Sequence, residues 1–258
     1  MTGVDPIQRF SDRVDAYVAA RPPYPDELAA ALGREFDLAA GATVADLGSG
    51  TGLSCLPFLR AGFAVIGVDP NDAMRAAGDR FLSGFTSFRS VRGSAEATAL
   101  AAGSVDLVVA AQAAHWFDTM KARNEARRIL RRPARVALIW NDRISTGAAF
   151  AEGYEQLLLE FGTDYAQVRH RHSHQGLVAE FFGGPHAREL RFDNPTSLDF
   201  ETLLARVNSA SYVPRPDAPA WAPMIARLRV LFDRTQAQGR VRMDYVTRVF
   251  FGSIDEID

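Results

Sequence analysis

Short, nearly continuous apolar runs alternate with segments of helical period from residue 40 to 142. Runs at 43–47, 64–68, 105–110 and 135–140 read as strands with no polar face, and Ser87 to Val91 reads as a further strand between them. Between them, segments 71–82 and 121–130 have helical spacing, and a short helix runs from the glycines at 48–52 to about residue 60, although Pro57 lies inside it. Strands without a polar face, linked by helices, predict a parallel sheet covered on both sides. Upstream, segments 11–20 and 26–39 read as amphipathic helices, separated by Arg21-Pro22-Pro23-Tyr24-Pro25, which cannot continue a helix. Downstream the pattern predicts helices at 148–162, 165–182, 199–209 and 222–237, a strand at 187–192, and a late antiparallel strand over 241–251.

These elements divide the chain into four parts. Residues 1–40 are expected to form N-terminal helices, 41–142 the core of the sheet, 143–238 cap helices plus a core strand, and 239–258 a terminal core strand.

Composition narrows the class. The chain has 258 residues, 47% hydrophobic and 23% charged, with a net charge of −2. That excludes a disordered or fibrous chain, and it provides no global basic field for nucleic acid or acidic membranes. Cys55 is the only cysteine, so no intrachain disulfide forms and a reducing cytoplasm is the expected compartment. The N-terminal residues carry no apolar stretch of a signal peptide, and no run of about 18 apolar residues offers a membrane span. Lys121 is the only lysine, so chemistry that needs a lysine has one position available.

The sharpest local feature is Val44-Ala45-Asp46-Leu47-Gly48-Ser49-Gly50-Thr51-Gly52. A strand enters a glycine turn that opens a helix, where backbone N–H groups and the positive helix end suit an anionic group. The glycine spacing is G-x-G-x-G, with Leu53 at the position of the dinucleotide fingerprint's third glycine. Asp69 closes the second strand, where a carboxylate accepts both hydroxyls of a ribose; it also suits a helix cap. A ligand with an anionic end and a ribose would lie across the strand ends.

With these motifs the chain resembles the class I S-adenosylmethionine-dependent methyltransferases, near the methyltransferase type 11 and trans-aconitate methyltransferase-like group. The resemblance also rests on Arg13, Tyr17, Arg21-Pro22 and Tyr24-Pro25, on Gly93-Ser94-Ala95-Glu96, on His115-Trp116-Phe117-Asp118 and on the 125–139 helix–strand unit. It implies a Rossmann-like α/β fold: a seven-stranded, mostly parallel sheet with its last strand antiparallel, helices on both faces and a helical lid. It implies S-adenosylmethionine as cofactor. Gly48, Ser49, Gly50 and Gly52 would meet its methionine part and Asp46 its amino group. Asp69 would hold the ribose, Pro70 and Met74 would flank the adenine, and Ala95 and Glu96 would face the adenine edge. Ala111 and Gln112 would line the sulfonium region, and Tyr17 and Arg21 would belong to a lid. The chain departs from the family at Ser94, where many relatives carry Asp, and at Arg132-Pro133-Ala134-Arg135, where relatives read Lys-Pro-Gly-Gly.

His115, just after the fourth strand, is the candidate catalytic base; its alternative is to pack the lid together with Trp116. Trp116, Trp140, Arg143 and Tyr212 are candidates for the substrate pocket. His170, His172 and His174 repeat every second residue, but no further ligand motif accompanies them, so no metal is expected. The arginine run at 127–135 reads as a solvated helix end. A P-loop is excluded because no glycine precedes Lys121. The expected partner is a small-molecule methyl acceptor, without nucleic acid or membrane, in a monomer or homodimer. Carboxyl O-methylation is the favoured chemistry. A non-catalytic S-adenosylmethionine-binding or regulatory protein and a nicotinamide oxidoreductase are the alternatives.

Overall fold

The computed structural model describes residues 21–165 and 174–255. The expected 11–20 helix, Tyr17, His170 and His172 lie outside these residues.

Seven strands form one sheet: β1 (Thr43–Leu47), β2 (Ala64–Asp69), β3 (Phe88–Arg92), β4 (Leu107–Ala111), β5 (Arg135–Arg143), β6 (Arg188–Asn194) and β9 (Tyr245–Ser253), in the order β3-β2-β1-β4-β5-β9-β6. β1 to β5 pair in parallel, whereas β9 runs antiparallel to both β5 and β6. From β1 the chain moves outward to β2 and β3, then returns to β4 on the other side. The cleft outside the β1 and β4 carboxyl ends is therefore the topological switch point, where open α/β sheets bind ligands.

The two-residue period of each strand sorts its side chains onto two faces. Ala45, Leu47, Ile66, Val108, Leu138 and Trp140 pack on one face with α4 (Thr119–Ile129) and α6 (His174–Phe182). Val44, Val65, Leu107, Val109 and Ile139 pack on the other with α1 (Glu27–Glu35) and α2 (Cys55–Arg60). Leu47, Leu107 and Leu138 are fully buried, and each such burial contributes roughly 1.5–3 kcal/mol. Pro57 does not break α2: it sits in the first turn, where its missing N–H costs no helical bond.

A third cluster forms the cap from α5 (Ala149–Phe161), α7 (Phe200–Ser209) and α8 (Trp221–Thr235). Within the segment expected to supply cap helices, α6 instead lies on the sheet and buries Phe181 and Phe182 in its core. The strand expected over 241–251 is two strands. β8 (Val241–Arg242) pairs with β7 (Ser197–Leu198) under the cap, and β9 enters the main sheet after Met243-Asp244. Among the described residues no helix is long and apolar enough to cross a membrane.

Candidate functional site

A cavity of about 380 Å³ opens at the switch point. Gly48, Ser49, Gly50 and Thr51 form its floor, Asp69, Pro70, Asn71 and Met74 one wall, and Ala111, Gln112 and Ala113 the opposite wall. Ser94, Ala95 and Glu96 line one side, while Arg21, Pro22, Tyr24, Trp116, Phe117 and Asn141 line the mouth.

The glycine loop is shaped by sterics. Gly48 has φ 70° and Gly50 φ 54°, in the left-handed region that favours glycine. A Cβ on Gly48 would stand 2.7 Å from the Ala113 Cβ. Gly50 faces open space, so no neighbouring side chain stands between its Cα and a ligand. Gly52 does not line the cavity; a Cβ there would stand 2.5 Å from the Leu82 side chain, so it serves the packing of the loop.

Asp69 is buried at the loop's side. Its Oδ2 accepts a hydrogen bond from the Gly50 N–H at 2.9 Å and its Oδ1 accepts one from the Asn71 N–H at 2.8 Å. Burial raises its pKa, opposed by those two N–H donors. Helix capping falls to Asn71, whose side chain accepts from the Ala73 and Met74 N–H groups at the start of α3 (Asp72–Phe81). The Asp69 carboxylate remains turned to the cavity wall.

Asp46 lies beneath the loop, fully buried, and does not line the cavity. Its Oδ2 accepts from the Ser54 hydroxyl at 2.5 Å and contacts the Cys55 Sγ at 3.2 Å, while its Oδ1 is buried with no partner. Burial raises its pKa to about 7, against the lowering by Ser54 and Cys55, and the neighbouring Asp69 adds to the rise. A buried carboxylate with an unused acceptor calls for a cation or donor above it.

The loop carrying Ala95 and Glu96 is held from behind. The Glu125 carboxylate accepts from the Thr98 N–H at 2.8 Å and the Thr98 hydroxyl at 2.6 Å, and the Arg128 guanidinium beside it holds its pKa down at about 2. Glu96 itself accepts from the Asp118 N–H at 2.9 Å, tying the loop to the start of α4. Across the cavity Gln112 adopts φ 54°, a strained conformation for a non-glycine residue, and its side-chain amide donates to the Asn141 carbonyl at 3.0 Å.

Four expectations are corrected. His115 is exposed and does not line the cavity: the 3₁₀ turn Ala114–Trp116 turns Trp116 and Phe117 to the wall instead. Trp140 is buried in the sheet's core, stacked on the His174 ring at 4.2 Å. Arg143 is committed to the cap, paired with Glu155, donating to the Tyr165 hydroxyl at 3.0 Å and lying over the Tyr154 ring. Tyr212 packs against Tyr165 in the same cluster. His174 faces Asp142 at 2.9 Å, and the described residues hold no group of three His, Cys, Asp or Glu suited to a metal.

Residues 45–138 match the family described as a methyltransferase domain. Segment 45–138 therefore resembles a methyltransferase domain. An uncharacterized methyltransferase of Mycobacterium tuberculosis is 38% identical over 138 residues, 52% of this chain and 52% of its own, so the match spans about half that relative's length. An uncharacterized methyltransferase-like protein of Schizosaccharomyces pombe is 28% identical over 252 residues, 95% of this chain and 94% of its own. Among solved structures, a candidate type II methyltransferase from Anaeromyxobacter dehalogenans shares the fold with a TM-score of 0.63, covering 91% of this chain and 98% of that one at 24% identity.

The matched segment 45–138 supplies the floor, both walls and, with Trp116 and Phe117, part of the mouth of the cavity. Arg21, Pro22, Tyr24 and Asn141 come from outside residues 45–138, and of these only Arg21 was singled out as a binding residue from the sequence. Thr51, Leu53, Ser54, Asn71, Ala113 and Phe117 also line the cavity without having been assigned a binding role; each lies within two positions of a residue that was. Gly48→Ala is expected to lower stability by about 2–3 kcal/mol, from the positive φ and the contact with Ala113. Urea unfolding of the variant checks this; a loss under 0.5 kcal/mol contradicts it.

Proposed function

We propose that this chain is an S-adenosylmethionine-dependent methyltransferase that acts on a small-molecule acceptor, with carboxyl O-methylation the favoured reaction. The observation that carries this reading is Asp46: a fully buried carboxylate oxygen with no partner, directly under a glycine loop that leaves Gly50 open. An ammonium group above the loop, reached directly or through water, answers that orphan. Asp69 at the next strand end suits a ribose diol, and Pro70 and Met74 give an apolar side for adenine. When bound, S-adenosylmethionine supplies a methyl group on a positively charged sulfonium.

The acceptor chemistry follows from what the wall offers. Its ionisable groups are Asp69, Glu96, Tyr24 and Arg21. Asp69 is occupied with Gly50 and Asn71, and Glu96 with Asp118. Among the described residues, no histidine stands on the wall to deprotonate an alcohol or amine. A carboxylate is already nucleophilic when ionised, so positioning is the main task left to the protein, and positioning contributes up to ~7–11 kcal/mol. Trp116 and Phe117 give an apolar side to the mouth, and Arg21 gives its positive charge. With a single, buried cysteine, the chain suits the reducing cytoplasm.

A thermal-shift comparison with S-adenosylmethionine, S-adenosylhomocysteine, NADH and ATP tests the cofactor. At 100 times its dissociation constant a ligand adds ~2.7 kcal/mol, or roughly 5–10 °C for a chain of this size. A shift with the two S-adenosyl compounds alone is expected; a larger shift with NADH overturns the reading. S-adenosylhomocysteine release across a panel of small carboxylic acids, amines and phenols then tests the acceptor. Tight cofactor binding with no turnover on any of them would instead mark a non-catalytic binding protein.

A further inference from the structure

The mouth of the cavity is closed by a segment that cannot hold itself. Pro22 and Pro23 have no N–H, so this stretch cannot pair as a strand. Besides the Arg21 guanidinium, which donates to the Ser209 carbonyl at 3.1 Å, it is held through its carbonyls. The Asn194 amide donates to the Pro23 carbonyl at 2.7 Å, and the Asn141 amide reaches the same carbonyl at 3.3 Å and that of Pro22 at 3.5 Å. The two amides are locked to each other and to Thr247. The Thr247 hydroxyl donates to Asn141 Oδ1 at 2.5 Å, and Asn194 Nδ2 lies 3.3 Å from both Asn141 Oδ1 and Thr247 Oγ1.

The placement follows from sheet register. Asn141 on β5 stands directly opposite Thr247 on β9, and Thr247 opposite Phe192 on β6, which brings Asn194, two residues on, to the diagonal position on the same face. All three side chains are buried at 7% exposure or less, in positions where apolar residues would otherwise pack. Three buried polar groups at adjacent strand ends are costly unless fully bonded. Here their bonds end on the strap that carries Arg21, Pro22 and Tyr24 to the cavity mouth. The Asn141 carbonyl also accepts from Gln112, so the same strand end fixes the strap and the strained residue facing it.

We propose that Asn194 and Thr247, which do not line the cavity, are positioning residues: with Asn141 they form a latch that holds the Arg21–Tyr24 strap over the bound cofactor and sets how long it stays. This rests on the cavity being the S-adenosylmethionine site. The latch acts through the strap, so its loss appears in cofactor dissociation rather than in chemistry at the methyl group.

The test uses the full chain and stopped-flow dissociation of S-adenosylhomocysteine from wild type, Asn194→Ala, Thr247→Val and Thr247→Ser. Loss of one or two hydrogen bonds is expected to raise the dissociation rate about tenfold in Asn194→Ala and Thr247→Val. Thr247→Ser keeps the hydroxyl and is expected to stay within about twofold of wild type. Hydrogen exchange in the 21–32 peptide is expected to quicken in the first two variants alone. A purely structural role would lower Tm and leave the dissociation rate unmoved; dissociation within twofold of wild type in folded Thr247→Val overturns the latch. Should Asn194→Ala fail to fold, the Thr247 pair decides by itself. A wild-type chain that binds no S-adenosyl compound overturns the cofactor reading first, and the latch with it.

Discussion

Asp69→Ala is expected to weaken S-adenosylmethionine binding by about 100-fold or more, read by isothermal titration calorimetry. A ribose offers two hydroxyls, and each hydrogen bond to a buried carboxylate is worth roughly 1.5–3 kcal/mol, so the pair spans about two to four decades of affinity. Asp69 is 8% exposed, so little water competes for its oxygens. The variant also releases the Gly50 N–H from its acceptor, which loosens the loop that the ligand would contact. Asp69→Asn keeps one carbonyl acceptor of the same shape and is expected to fall between wild type and alanine. Burial raises the pKa of Asp69, so affinity is also expected to decline on the acid side as the carboxyl takes up its proton. A loss below fivefold in Asp69→Ala would remove the ribose from this residue.

Asp46→Asn is expected to remove Asp46's share of the pH dependence of stability in the ligand-free protein. In the folded chain the Asp46 pKa is raised from 3.8 to about 7, chiefly by burial. The folded state therefore holds the proton more tightly than the unfolded state. The stabilisation is fully present below about pH 4 and is lost as pH rises through about 7, where the buried carboxyl must ionise. A shift of this size corresponds to ~4 kcal/mol between the two ends of the window. The groups against the carboxyl are Ser54, Cys55 and Asp69. Asp69 moves stability in the same direction, so the difference between wild type and Asp46→Asn isolates Asp46. Urea unfolding at pH 5 and pH 8 measures it. Equal slopes in the two proteins would show that Asp46 does not titrate in this window. The same variant is expected to bind S-adenosylmethionine more weakly, since a neutral amide cannot balance the cofactor's ammonium.

The β1 and β2 strands and the loop after β1 were readable because each is dictated locally. A strand buried on both faces shows itself as an unbroken apolar run, and Gly48 and Gly50 mark positions where other residues would be strained. The parallel sheet followed from the alternation of such runs with helical segments, and the late antiparallel strand from the alternating pattern that begins at Val241. What failed depends on contacts distant in sequence. His115 and Trp116 are neighbours, and which of them turns inward is decided by a single 3₁₀ turn against Glu96 and the glycine loop. Arg143 stands at a strand's carboxyl end, as expected of a pocket residue, but Glu155 and Tyr165 of the cap draw it away. Met243-Asp244 carries no breaker residue, so the division between β8 and β9 is invisible until β7 supplies a partner for β8. Asn141 and Asn194 look like loop residues in sequence; only the register between β5, β9 and β6 makes them one group.

The sheet order has a consequence for how the chain is made. Among the described residues β9 is the last of nine strands to leave the ribosome, yet it lies in the interior of the sheet, between β5 and β6. Until it arrives, β5 has an open edge and β6 has no strand to pair with in the sheet, the kind of exposed edge that recruits other chains. Thr247, the residue that joins the two asparagines, travels on the same strand. The sheet and the strap over its strand ends therefore close in one late event, after translation has passed residue 253, and a nascent chain stalled before Tyr245 carries every motif of the glycine loop without the element that completes the fold around it.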